Sequence, residues 1–170
     1  MAGSLIKIDE EIVTSAVGTV TLTGIDSTYD VYMVTMNNVI QTTGSVYVMR
    51  VQVGGTDQTG SHYVKVGKKL SASSAFSNVA DNNIAWYYPD NNTVTNPYGA
   101  VHYIFNANNS GEYTFFTTEA INSNDAQGYQ GGGVYKQASQ VDGVSLLAYS
   151  STPGDGVFSS GTFTLYGLKK

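Results

Sequence analysis

Apolar residues in this chain recur at every second position and almost nowhere at the three-and-four spacing of a helix. "TVTLTG" puts Val20 and Leu22 on one face, and "YDVYMVTMN" sets Tyr29, Val31 and Met33 against Tyr32, Val34 and Met36. "SVYVMRVQVGG" opposes Val46, Val48 and Arg50 to Tyr47, Met49, Val51 and Val53. Side chains of an extended strand alternate sides, so this period dictates β-structure. The strings "YGAVHYIFNAN", "GEYTFFTTEAI", "GGGVYKQA", "GVSLLAYS" and "GTFTLYGL" repeat the pattern, each bounded by Gly, Asn, Asp or Pro. With a strand near "LIKIDEEI", nine or ten strands are predicted, joined by turns such as "NNSG" and "QVDG". Strands of that number in 170 residues imply an all-β fold. An antiparallel β-sandwich, most simply a jelly roll, buries them best, with a closed barrel as the other solution.

The segment 54–97 resists the pattern, with scattered apolar residues, many Asn and Ser, and two of the three prolines. It reads as irregular and loop-rich, and long segments of that kind tend to carry contacts. Strand signals of the same composition resume on both sides, so residues 1–170 are read as a single domain.

Charge and cysteine content remove whole classes of function. The chain has no cysteine, which excludes disulfides, thiolate nucleophiles, thiolate zinc sites and iron–sulfur clusters. Charged residues make up 12 %, about half the usual share, and Ser, Thr, Asn and Gly take the polar positions. A net charge of -5 argues against a nucleic-acid partner, which needs clustered Lys and Arg. No apolar run reaches the roughly 20 residues of a membrane helix, and the N-terminus has neither the basic nor the apolar region of an export signal. A soluble protein without membrane insertion is expected.

Neither His62, in a polar loop, nor His102, within a strand, has metal ligands at useful spacing. Most acids, Asp26, Asp57, Asp90, Asp142 and Asp155 among them, sit in turn-like settings. "PDNNTVTN" and "INSNDAQG" do not fit a spaced calcium loop, and "QGGGVY" is no phosphate cradle. Its three glycines point instead to close backbone approach, a bulge or tight packing. No catalytic residue, metal or cofactor is assigned.

The aromatic run Trp86-Tyr87-Tyr88 carries the most promise. Trp86 and Tyr88 would share one face of an extended chain. With Asp90, Asn91 and Asn92 they form a candidate binding surface, suited to a sugar or a protein partner. Capping the open end of the core is the other reading. The chain's end, "SGTFTLYGLKK", keeps strand alternation nearly to its last residue. Phe163 and Leu165 are expected to point inward, Thr162, Thr164 and Tyr166 outward, with Gly167 ending the strand and Lys169 and Lys170 discouraging edge pairing.

The strings "LTGIDSTYDVYMV", "GSHYVKVGKKLSASSAF", "IFNANNSGEYTFFTTEAI", "GGGVYKQASQVDGVSL" and "SGTFTLYGL" resemble small virion-surface structural proteins of tailed bacteriophages, frequent in marine phages infecting cyanobacteria. The resemblance spans nearly the whole chain. It implies a β-sandwich displayed on the particle, as a capsid decoration protein or as a terminal module of a tail fibre. It transfers no catalytic residue. The expectation is a non-enzymatic virion protein, made in the bacterial host cytoplasm and located on the virion surface. Its partners would be capsid or tail proteins, with homo-oligomerisation, as a trimer, a further expectation. The alternative is a receptor- or carbohydrate-binding module contacting host glycans.

Overall fold

A computed structural model describes residues 4–42, 45–71, 76–85, 87, 96–123, 127–150 and 156–169. Among these are twelve strands and no helix: β1 (Ser4–Val13), β2 (Thr19–Thr23), β3 (Val31–Gln41), β4 (Ser45–Val53), β5 (Thr56–Asp57), β6 (Tyr63–Ser71), β7 (Ser77–Ile84), β8 (Tyr98–Phe105), β9 (Thr114–Asn122), β10 (Gln127–Tyr135), β11 (Gly143–Ser150) and β12 (Phe158–Lys169). They form an eight-stranded sheet, in the order β1-β12-β3-β8-β9-β10-β6-β7, and a four-stranded sheet, β2-β11-β4-β5. Every pairing is antiparallel.

The two sheets pack as a sandwich over one core. Val20 and Leu22 of β2, Met49 and Val51 of β4, and Val144 and Leu146 of β11 meet Val34 and Met36 of β3, Ile104 of β8, Phe116 of β9, and Phe163 and Leu165 of β12. The all-β, antiparallel reading of the sequence therefore holds. The sheets are unequal, and their strand order does not establish the jelly-roll winding expected from the strand count.

The three strands beyond the nine quoted from sequence all fall in the segment read as loop-rich. β5, β6 and β7 occupy residues 56–57, 63–71 and 77–84, so much of 54–97 is regular sheet. Their pattern is masked for a physical reason. On β6 the inward position Lys65 is lysine, 1 % exposed, and it bonds Asp81 directly opposite on β7, Nζ to Oδ2 3.1 Å. A buried ammonium is tolerated when a carboxylate faces it. β7 forms an edge and stays largely exposed, so Asn and Asp replace apolar residues there.

The C-terminal strand lies between β1 and β3. Phe163 pairs with Met36 and Leu165 with Val34, and both side chains are fully buried. The strand continues past Gly167, which faces Tyr32, to Lys169. Pairing on both sides, rather than composition, is what fixes this end of the chain.

Candidate functional site

Of the predicted binding surface, Trp86, Tyr88, Asp90, Asn91 and Asn92 lie outside the described residues. Tyr87 is described, and it is a core residue rather than a surface one, with no exposed area. Its backbone pairs with Met49 of β4 in both directions, N to O 2.7 Å each way, while its ring crosses to the large sheet. There the ring stacks on Phe116 with centroids 5.0 Å apart, and its hydroxyl bonds Thr118 Oγ1 at 2.8 Å. Burial pushes that hydroxyl's pKa well above the usual phenol range. Tyr87 thus fills the space between the two sheets, its backbone on β4 and its ring over β9 and β10.

The glycine run of β10 makes room for this ring. A Cβ on Gly133 would lie 2.5 Å from Tyr87 Cε2, and one on Gly131 would lie 2.5 Å from the Tyr129 hydroxyl oxygen. Tyr129 lies along its own strand, reaching Val66 O at 3.1 Å. Gly131 and Gly133 therefore mark close approach, with aromatic rings covering backbone that has no side chains of its own.

His102 is completely buried, with Nδ1 2.9 Å from Thr118 Oγ1 and edge-to-face contacts to Tyr47 and Tyr87. Desolvation lowers its pKa to about 3, so the ring is neutral at physiological pH. A second buried polar group joins Ser145, which donates to Asp57 Oδ1 at 2.6 Å, and Gln52, whose Nε2 donates to both, at 3.0 Å to Ser145 Oγ and 3.1 Å to Asp57 Oδ1. It ties β11 and β4 to β5. Among the described residues no three His, Cys, Asp or Glu side chains gather as a metal site.

The feature that the sequence reading missed is the outer face of the large sheet, the one turned away from the small sheet. An antiparallel sheet with one solvated face normally presents polar side chains there. Here the pairing register lines apolar residues in a row across the sheet. Leu5 of β1 faces Leu168 of β12, and Val31, Phe105, Phe115, Val134 and Val64 continue the row over β3, β8, β9, β10 and β6. The adjacent row carries Tyr166, Met33, Tyr103 and Val66. A third is mainly polar, with Glu10, Thr164, Thr35, Glu119, Gln130 and Lys68 beside Val101, and the fourth returns to Ile12, Ile121 and Leu70. Several are well exposed, Ile121 at 65 %, Ile12 at 62 %, Val66 at 58 % and Phe115 at 46 %.

Within this face a groove of about 500 Å³ is walled by Asn37, Leu70, Val101, Glu119, Ile121 and Gln130 over bare backbone at Gly99. Gln130 Nε2 donates to Glu119 Oε1 at 3.1 Å, which turns the carboxylate toward β10. Among the described residues, Glu119 is the one carboxylate lining the groove.

No family model matches the chain, and no curated protein matches it by sequence. Among solved structures, a fructofuranosidase variant from Schwanniomyces occidentalis, complexed with fructosylnystose, aligns over 98 % of this chain at 6 % identity with a TM-score of 0.27. The chain spans about a third of that enzyme's length (34 %).

Proposed function

We propose that this chain is a non-enzymatic structural protein of a bacteriophage virion, displayed on the particle surface as a capsid decoration or similar attachment. The observation that carries the docking role is the uncovered apolar face of the large sheet. Contiguous apolar surface on a soluble domain marks an interaction site, and a stable interface is built by area with an apolar centre and a polar rim. The bacteriophage assignment rests on the sequence resemblance, whose most specific strings, "LTGIDSTYDVYMV" and "SGTFTLYGL", supply the adjacent strands β3 and β12. Partners would be other virion proteins, and the low positive charge leaves nucleic acid out of the scheme.

Labelling the protein on intact particles of a phage that encodes it tests the proposal. Signal over the whole shell is expected, and a signal confined to the tail overturns the decoration assignment. Particles without the protein overturn the virion role altogether.

The groove favours a second reading, a tail-fibre or receptor-binding module for a neutral glycan. Amide and carboxylate groups of Asn37, Gln130 and Glu119 stand beside aliphatic walls, a combination suited to sugar hydroxyls. Glycan binding lost in Gln130→Ala, with the fold intact, would establish it; the absence of binding to host envelope material would dismiss it.

A further inference from the structure

We propose that a second copy of this chain packs face to face on β9, β10 and β6, about a two-fold axis running along β10. The inference rests on the reading of the large sheet's outer face as a docking surface and names its partner. A two-fold axis parallel to the strands exchanges the strands on either side of it and leaves each residue at its own level along them. With β10 on the axis, β9 of one copy lies over β6 of the other.

Across β9 and β6 the pairings this creates are apolar at two levels, mixed at one and oppositely charged at one. Phe115 meets Val64 of the second copy, Ile121 meets Leu70, and Thr117 meets Val66, since each pair shares one register row in the single chain. Between them, Glu119 meets Lys68, and by symmetry Lys68 meets Glu119. Gln130, on the axis between these charges, faces its own counterpart, and an amide is both donor and acceptor. On the outward side of β10, Gly128 and Gly132 flank Gln130, so the central strand presents little bulk. An axis displaced by one strand in either direction would break the charge match, which is what selects β10. Face-to-face sheets pack about 10 Å apart, and an axis parallel to β10 sets the two central strands parallel to one another.

The overlap covers five strands, β8 to β7, and four levels of side chains. With strands about 4.8 Å apart and levels about 6.8 Å apart, it amounts to about 650 Å² per copy, or about 1,300 Å² in total. That lies in the range of specific, stable interfaces. The β1 and β12 end of the face, with Leu5, Ile12 and Leu168, stays uncovered for a different partner.

Sedimentation equilibrium of the whole chain gives the oligomeric state directly, and a dimer is expected. Phe115→Asp and Ile121→Lys should each yield monomers with unchanged circular dichroism, because both residues are exposed in the single chain. Glu119→Lys or Lys68→Glu alone should weaken the dimer roughly tenfold or more, and the two together in one chain should restore it. The chain has no cysteine, so Gln130→Cys gives a single reactive thiol. It should cross-link to its own counterpart through a short bismaleimide, whereas Glu10→Cys at the β1 edge should not. A monomer, a trimer, a dimer indifferent to the charge exchange, or cross-linking through Glu10→Cys in place of Gln130→Cys overturns the proposal. A monomer that still decorates virions overturns this inference alone; a dimer meeting the tests above, on a protein absent from particles, upholds it and overturns the virion role.

Discussion

Mild acid should destabilise this protein through His102. The imidazole is fully buried among Tyr47, Tyr87 and Thr118, and burial lowers its pKa to about 3. In the unfolded chain the value is about 6.5. Below pH 6.5 the unfolded chain therefore takes up a proton that the folded chain refuses, so the free energy of unfolding falls as pH falls and levels off only below about pH 3. The gap amounts to about 5 kcal/mol over the whole window, of which about 3 kcal/mol is lost by pH 4.5. Against a total stability of about 5–15 kcal/mol, this is a large share.

Glu10 and Asp26 have lowered pKa values, the first mainly through its bond from Lys7 and the second through the backbone N–H of Thr28. The stability they contribute is present above their unfolded values, 4.5 and 3.8, and is lost only as pH falls through the lower folded ones. The interval from pH 6.5 to pH 4.5 is thus free of both. Urea titrations across it should show the wild type losing about 3 kcal/mol relative to His102→Gln, whose amide can still bond Thr118. Parallel curves, or an NMR titration of His102 with its midpoint above pH 6, would refute the reasoning.

Other predictions concern the core and its closures. Tyr87→Ala should cost about 3–5 kcal/mol in urea denaturation, because a ring packed between Phe116 and Gly133 is lost. Tyr87→Phe, which removes only the bond to Thr118, should cost about 1 kcal/mol. Gly133→Ala should destabilise by about 1–3 kcal/mol, since its methyl group would press on the Val64 carbonyl and the Tyr87 ring. Deleting residues 161–170 should abolish folding as followed by circular dichroism, because Phe163 and Leu165 are core residues paired to β3. Deleting Lys169 and Lys170 alone should leave the melting temperature within a few degrees of the wild type's.

Strands were legible wherever one face is apolar and the other polar or mixed, as in β9, where Thr114, Phe116 and Thr118 are buried and Phe115, Thr117 and Glu119 exposed. The terminal strand was legible for the same reason. β6 and β7 were not, because Lys65 takes an inward position and its stabilising partner, Asp81, lies on another strand. An ion pair across a ladder leaves no periodic trace in one chain. Tyr87 shows the converse limit. Its sequence context of Asn, Asp and Pro reads as solvent-facing loop, and its burial depends on bare backbone at Gly133, 46 positions away.

The outer face was hidden by a different effect. A strand such as β3, buried on its inward side by Tyr32, Val34 and Met36, carries Val31 and Met33 outward, and that double-sided apolarity reads from sequence as a strand at the centre of a fold. β3 is central within its sheet, yet the small sheet covers only one of its faces. Register turns scattered outward residues into a surface: Val31, Phe105, Phe115, Val134 and Val64 come from five strands and occupy one row only because the pairing holds them level. Selection for the fold alone would not keep that row apolar, since polar residues there would preserve the core and improve solubility. The pattern is accounted for when the outer face is buried in an assembly, and the charged pair Glu119 and Lys68 then fixes how the copies meet rather than how tightly they hold.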